Sequence, residues 1–331
     1  MAVLEEQGKM MKESSLECPV CGNLNGNRVF TVREMMIGTG EPFEYVECGA
    51  CGHLHIAAIP EDLGRYYASG YYSYGVRKER GWRGWLKRAR TRALLGDRSM
   101  VGMVLTAIRP PHYGTWLGKT GLRQGDRFLD VGCGAGNFIR LLQECGLECT
   151  GIDPFLKADE DTDTGVKLRK RAIEEETGRY KGIMFSHSLE HIADSRSALK
   201  QAAKLLLPEG VVIIRIPLAD SLAFLRYGAE WFQLDAPRHL NLFTKKSLAF
   251  LARECGLEIR DTVYDSNKDQ FWASEEYKMG IGLHDPRSFA HDDHQTHFSK
   301  ADIEKWKRWA AWCNEMEVGD QATFLLRKSG Q

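Results

Sequence analysis

Short apolar runs alternate along this chain with stretches in which apolar residues recur every three or four positions. The clearest alternation lies in the middle. Phe128, Leu129 and Val131 form a run too short for a helix, broken at once by Gly132, Gly134 and Gly136, which predicts a buried strand ending in a glycine loop. Phe138, Leu141, Leu142 and Cys145 then fall on one helix face, with Gly146 as the stop. Glu148 to Ile152 read as a second strand, closed by Asp153. A weaker strand is placed near Val166 to Leu168, after an acidic stretch, Lys157 to Asp163, read as a solvent loop. Ile183 to Ser186 and Val211 to Ile216 are further strands; Leu199, Ala202, Ala203 and Leu206 mark the helix between them and Pro208-Glu209-Gly210 a turn. Thr244 caps a helix with the face Leu248, Leu251, Ala252 and Cys255, and Leu257 to Tyr264 and Ala322 to Arg327 complete the strands. Strands alternating with helices in this way predict an α/β doubly wound sheet.

The glycine loop carries the first chemistry. A strand, glycine loop, helix and second strand form the half-Rossmann unit that binds a nucleoside at the carboxyl edge of a parallel sheet, with an acid such as Asp153 on the ribose hydroxyls. The pattern Asp130-x-Gly132-x-Gly134-x-Gly136 departs from the dinucleotide spacing G-x-G-x-x-G, and its leading carboxylate would repel a pyrophosphate while suiting a cation. The stretch resembles motif I of the class I S-adenosylmethionine-dependent methyltransferases. That resemblance implies a Rossmann-like, seven-stranded class I methyltransferase sheet, with S-adenosylmethionine held by Asp130, Gly132, Gly134, Gly136 and Asp153, and Ile173-Glu174 beside the adenine.

Two further segments extend the likeness. His187-Ser188-Leu189-Glu190-His191 is similar to the H-x-L-E-H segment that lines the cofactor and substrate cleft in one branch of that family, although Gly182 stands where many members carry an acid. It implies that His187 borders the cofactor and that Glu190 contacts either ligand. Asp235-Ala236-Pro237-Arg238-His239, followed by Phe243-Thr244, resembles the D-x-P-R-H-x-x-x-F-T segment of bacterial methyltransferases acting on sugars. A hydroxyl acceptor benefits from a positioned base, and histidine titrates in the useful range. The expectation is His239 as base, Asp235 orienting it and Arg238 on an acidic or phosphorylated group; the alternative for His239 is a structural histidine bonded to backbone.

The N-terminal part has its own pattern. Cys18-Pro19-Val20-Cys21-Gly22 is answered by Cys48-Gly49-Ala50-Cys51-Gly52, two knuckles that place four thiolates around one point, as tetrahedral zinc requires. With strands at Arg28 to Val32 and Phe43 to Glu47 this predicts a small zinc ribbon over residues 1–58, its zinc structural; His53 and His55 are read as surface positions of the second strand ahead of replacement ligands. Residues 59–112 read as a connector, aromatic at Tyr66 to Tyr74 and basic from Arg77 to Arg98, with helical packing residues from Met100 to Ile108. The catalytic domain is expected over 113–331, with an insertion at about 265–320 that carries Phe271 to Tyr277 near the acceptor and a helix begun by Ser299 with Asp302. His291 to His297 has a metal-like composition but reads as a polar loop.

Composition narrows the setting. The 331 residues carry 45 basic and 45 acidic side chains, so no global attraction to nucleic acid or membrane exists and any such contact is local. Nine cysteines behind a polar start, Met1 to Leu16, point to a reducing cytoplasm. The leading expectation is methyl transfer to oxygen, ahead of carbon, on a sugar of a nucleotide-linked or lipid-linked glycan, with residues 77–98 making a peripheral contact with anionic lipid at the inner membrane. An RNA methyltransferase using the ribbon is the rival; nucleic acid is disfavoured by the balanced charge. A non-catalytic cofactor-binding scaffold is the third reading.

Overall fold

The computed structural model describes residues 16–67, 81–291 and 297–330. Part of the tyrosine-rich connector, the start of the basic segment at Arg77 to Arg80 and the centre of the His291 to His297 loop lie outside the described residues.

Two sheets organise the chain. The smaller begins with β1 (Arg28–Arg33), β2 (Pro42–Glu47) and β3 (Leu54–Ile56). The larger contains β4 (Arg127–Val131), β5 (Glu148–Ile152), β6 (Glu160–Asp161), β7 (Lys167–Arg169), β8 (Tyr180–Ser186), β9 (Leu206–Pro217), β11 (Leu257–Tyr264) and β12 (Gln321–Lys328), in the order β11-β12-β9-β8-β4-β5-β7-β6. Its centre, β9-β8-β4-β5-β7, is parallel, while β12 runs antiparallel between β9 and β11. Side chains on the central strands alternate between two cores: Leu129, Val131, Ile183, Phe185, Val212 and Ile214 lie in one, Phe128, Met184, Val211 and Ile213 in the other. Both faces are therefore covered, which is why these strands read as unbroken apolar runs. Helix α5 (Ser195–Leu205) contributes Leu199 and Ala202, and α7 (Lys245–Glu254) Leu248 and Leu251, to the first core. Helix α4 (Asn137–Glu144) brings Ile139 and Leu142 to the second, beside Trp116 of α3 (Gly114–Leu117).

Three expectations change. The sheet has eight strands, because Glu160–Asp161 pairs antiparallel with β7 inside the stretch read as a solvent loop. Both of its residues are exposed acids, and Arg169 meets Asp161 at 2.6 Å, so this edge strand shows no apolar signal. Strand β9 starts at Leu206 and runs through the expected turn at Pro208 to Gly210. Finally, α2 (Met100–Ile108) packs on α1 (Gly81–Leu94) through its small residues: a Cβ on Gly102 would stand 2.7 Å from the Ala89 carbonyl oxygen and 3.2 Å from the Ala93 Cβ. Met100, Val101, Met103, Val104 and Ile108 of α2, expected to pack inward, are exposed instead.

The small sheet is completed from far along the chain. A two-residue strand, β10 (Asn241–Leu242), pairs antiparallel with β3, giving the order β1-β2-β3-β10. Beneath it lies a third core, joining Val32, Tyr45 and Leu54 to Trp231 and Leu234. Helices α6 (Leu222–Tyr227), α8 (Asp269–Lys278) and α9 (Lys300–Glu315) close that core with Phe224, Phe271 and Trp306. Among the described residues no helix is long and apolar enough to cross a membrane.

Candidate active site

At the carboxyl end of β4 the chain must turn sharply beneath a ligand, and Gly132, Gly134 and Gly136 all adopt positive φ there. At Gly132 there is no room for anything larger: a Cβ would stand 2.4 Å from that of Ser188, whose hydroxyl donates to the Val131 carbonyl at 2.6 Å. Asp153 ends β5 and fixes the loop, accepting the Gly134 N–H at 3.0 Å and the Phe155 N–H at 2.9 Å. A cleft of about 280 Å³ opens above, lined by Gly132, Gly134, Ile152, Asp153, Phe155, Ile173, Glu174, His187 and His191. The loop, the acid at its rim and the apolar slot between Ile152 and Ile173 match the glycine cradle, ribose and base of an adenosyl ligand. Asp130 and Gly136 are outside the lining; Asp130 is buried under the loop, and burial next to Asp153 pushes its carboxyl up to about 7.

A second cleft, about 470 Å³, meets the first at His187 and His191. Its lining combines hydrogen-bonding groups, Gln233, Asn267, Asp269, Gln270 and Gln321, with Phe232, Trp272 and Tyr277. His239 opens into it. Its Nδ1 lies 2.7 Å from the Gln233 carbonyl, which can only accept, so Nδ1 carries the proton and Nε2 is bare. The same logic holds for His191, whose Nδ1 is 2.8 Å from the Arg238 carbonyl. His239 is thus bonded to backbone and also presents a free nitrogen, so the two readings of this residue do not exclude each other. Asp235 Oδ2 is 3.8 Å from His239 Nε2, and the Gln233 carbonyl orients the ring.

Asp235 is committed elsewhere. Arg238 donates to it from Nε and Nη2, to Glu34 of the ribbon at 3.0 Å and to the Tyr66 carbonyl at 3.2 Å. Arg238 and Glu34 are both wholly buried, so Arg238 does not reach an acidic acceptor as expected. It bridges two carboxylates. Burial would raise the Asp235 carboxyl, but Arg238 outweighs it and holds the group below the usual range.

Glu190 stands behind the two histidines. It has no exposure, and neither carboxylate oxygen has a hydrogen-bond partner. Burial pushes this carboxyl up, yet His187, with Nδ1 3.4 Å from Oε1, and His191 and His239 behind it hold it at about 2. Burial and the neighbouring His239 push His191 down, so its imidazole is neutral at physiological pH. His187 is held on its other side by Arg215, which donates to Nε2 at 2.8 Å and pairs with Asp265 at 2.7 Å.

The ribbon reaches this centre. Tyr45 donates its hydroxyl to the His239 carbonyl at 2.8 Å, the Ile56 N–H meets the Leu240 carbonyl, and Met36 lines the second cleft. Its four cysteines converge, with Cys18 and Cys51 sulfurs 3.6 Å apart and Cys21 and Cys48 likewise 3.6 Å. Sulfurs around zinc at about 2.3 Å lie about 3.8 Å apart, so the quartet fits that ion. His53 and His55 are buried rather than at the surface, and His53 bonds Asn241 Oδ1 of β10, which joins the ribbon's sheet from far along the chain.

Sequence reasoning noted Tyr67 only within the aromatic connector and missed Phe155 at the first cleft and Met36, Arg215, Asp320 and Gln321 at the second. Only Arg215 carried a signal, as a lone charge in an apolar strand.

Known proteins agree with this geometry. A family described as "Methyltransferase domain" matches residues 108–262. Over 174 residues the chain is 34% identical to the ubiquinone biosynthesis O-methyltransferase of Bordetella avium, covering 46% of this chain and 71% of that protein. The Pseudomonas aeruginosa protein of the same name is 29% identical over 167 residues, 45% of this chain and 71% of the relative. Solved structures with a looser likeness include a SAM-dependent methyltransferase from Archaeoglobus fulgidus, at 17% identity and TM-score 0.41 over 70% of this chain and all of that one. The cyclopropane synthase MmaA2 of Mycobacterium tuberculosis gives 16% and 0.41 over 76% of this chain and all of that one. A glycine cradle of this shape, in a chain that aligns with most of a curated methyltransferase, places the protein in the class I S-adenosylmethionine-dependent methyltransferase family.

Proposed function

We propose that the protein methylates a hydroxyl oxygen on a sugar of a nucleotide-linked or lipid-linked glycan. The observation that carries this reading is the second cleft: it meets the cofactor cleft at two histidines, and amide and carboxylate groups ring a Trp272 and Tyr277 wall, a lining suited to a polyhydroxylated ring. Bound S-adenosylmethionine supplies an electrophilic methyl group on a sulfonium. The chain does the rest. Gly132, Gly134 and Asp153 hold and orient the cofactor; the acceptor cleft aligns the hydroxyl; and the bare Nε2 of His239, backed by His191 and Glu190, draws off the hydroxyl proton. Zinc on Cys18, Cys21, Cys48 and Cys51 holds the ribbon in register with His239.

A hydroxylated aromatic ring is the second reading, favoured by relatives named for ubiquinone biosynthesis. Incubation with radiolabelled S-adenosylmethionine separates the two. Label in nucleotide sugars or envelope glycans supports the proposal; label in ortho-diphenols alone, or in RNA, replaces it.

The α1–α2 hairpin supports a lipid-linked acceptor. Met100 is 80% exposed, Ile108 77% and Trp82 68%, with Arg83, Arg98 and Arg109 exposed beside them. Aromatic and aliphatic residues with exposed arginines fit an anionic bilayer surface. The chain is expected to co-sediment with vesicles containing phosphatidylglycerol and to lose that binding in Ile108→Glu. Equal binding to purely zwitterionic vesicles, or none to either, refutes the contact.

A further inference from the structure

We infer that Glu190, His191 and His239 form a binding site for a divalent cation at the junction of the two clefts, separate from the cysteine quartet. One donor atom from each of the three residues lies within 4.8 Å of the others. Three features turn proximity into a site. Both imidazoles give their Nδ1 protons to backbone carbonyls, His191 to Arg238 and His239 to Gln233, and so present bare Nε2 lone pairs. Metal-bound histidines show this arrangement, since the carbonyl fixes both tautomer and ring direction. The third donor, Glu190, is a fully buried carboxylate with no hydrogen-bond partner on either oxygen. His187 Nδ1 stands 3.4 Å from Oε1, and Oε2, buried without a polar partner, is the oxygen a cation would satisfy. Lastly, His191 and His239 line the acceptor cleft, leaving open the remaining coordination positions that substrate and water would take.

Two imidazoles and one carboxylate are a donor set for a borderline first-row ion such as zinc or cobalt, and lack the oxygens that magnesium or calcium require. The quartet of thiolates is softer and closed, so the two sites differ in chemistry as well as in place. The role of the ion rests on the reading of the acceptor as a hydroxyl compound. A hydroxyl meeting a divalent cation loses its proton more readily, and a neighbouring hydroxyl on the same ring supplies a second oxygen. With the ion bound, His239 would serve as its ligand in place of the base it supplies in the metal-free site, and the acidified hydroxyl would release its proton to solvent in the open cleft. The acceptor class is then a vicinal diol, on a sugar or on an aromatic ring.

The test reads metal alone, so it stands whatever the acceptor proves to be. The full chain is saturated with Co2+ and examined by metal analysis, absorption spectroscopy and anomalous diffraction. Two ions per chain are expected: one with the thiolate charge-transfer bands of the quartet, the other with weaker visible ligand-field bands and an anomalous peak between Glu190, His191 and His239. Glu190→Gln and, independently, His191→Gln should remove the second ion and leave the thiolate bands of the cysteine quartet intact, which also shows that the variants fold. A single ion in the wild-type chain, confined to the cysteines, overturns the proposal. So does a second ion whose spectrum is unchanged in both variants.

Discussion

Apart from Tyr67, the cofactor cleft is lined by residues between Val131 and Ile192, whereas the acceptor cleft gathers its lining from Met36 in the ribbon to Gln321 in the last strand. The first is a product of local structure: a strand, a turn that only glycine can make, and an acid at the next strand end. The second exists only when the ribbon, the segment around His239 and the insertion helices have packed into one core. A local cradle tolerates change in distant parts, and a composite cleft does not. Damage to the ribbon should therefore separate binding of the cofactor from use of it.

With zinc on the cysteine quartet as proposed, stripping it, or replacing Cys48 with Ser, gives the largest effect. The ion would tie the two knuckles together, and the second knuckle leads directly into β3, the partner of β10, close to the Tyr45 bond to His239, so its loss loosens both. Methyl transfer is expected to fall below detection while calorimetry finds S-adenosylmethionine affinity within about threefold, since displacing a reactant by about 1 Å already costs roughly a hundredfold. Equal loss of both would break the comparison. His239→Ala tests the same cleft at one side chain: kcat should drop by about 10²- to 10⁴-fold with cofactor affinity unchanged. The opposite separation comes from Gly132→Ala. Its Cβ has no space against Ser188 and its φ of 75° is unfavourable to alanine, so cofactor affinity should fall by at least about tenfold, with the ribbon's metal content unaltered.

The same contrast decides what can be read from sequence. The cofactor cradle lies within one window, so glycine spacing, helix face and terminal acid constrain one another directly in the order of residues. The acceptor cleft depends on pairings with no local trace. Glu34 and Arg238 are 204 residues apart, and an arginine beside a histidine in a cleft segment reads as a ligand-binding charge unless its buried partner is known. Helix α2 misleads for a different reason. Its apolar run looks like a core face, but Gly102 against Ala89 and Ala93 makes the contact, and small residues carry little weight in a hydrophobic pattern. The edge strand Glu160–Asp161 is specified by backbone pairing and charge, to which apolar periodicity is blind.

Arg238→Met sharpens the comparison in terms of stability. The substitution leaves the carboxylates of Glu34 and Asp235 buried without their cation, which costs about 3–5 kcal/mol. Denaturant unfolding should show that loss, and the damage should fall on the acceptor side. Of the contacts Arg238 makes, none touches the glycine loop. If cofactor affinity fell in proportion, the two clefts would be coupled more tightly than their construction implies.

The smallest effect comes from Asp130, under the loop. Burial and the nearby Asp153 raise its carboxyl to about 7, so in the free protein it is neutral below that pH and ionised above it. Between about pH 4 and 7 the folded chain holds a proton that the unfolded chain has released, and the contribution of this group to stability falls as pH rises through that window. The cofactor reverses the preference, since a sulfonium favours the ionised carboxylate and the neutral product, S-adenosylhomocysteine, does not. Raising the pH from 6 to 8 should therefore strengthen binding of S-adenosylmethionine relative to S-adenosylhomocysteine, by roughly three- to fourfold for a charge pair worth about 1 kcal/mol. Calorimetry with both ligands at the two pH values reads this ratio directly. In Asp130→Asn the ratio should be independent of pH, and a ratio that still rises would assign the effect to another group. If the wild-type ratio is flat, Asp130 does not sense the sulfonium, and its burial beneath the loop is purely structural.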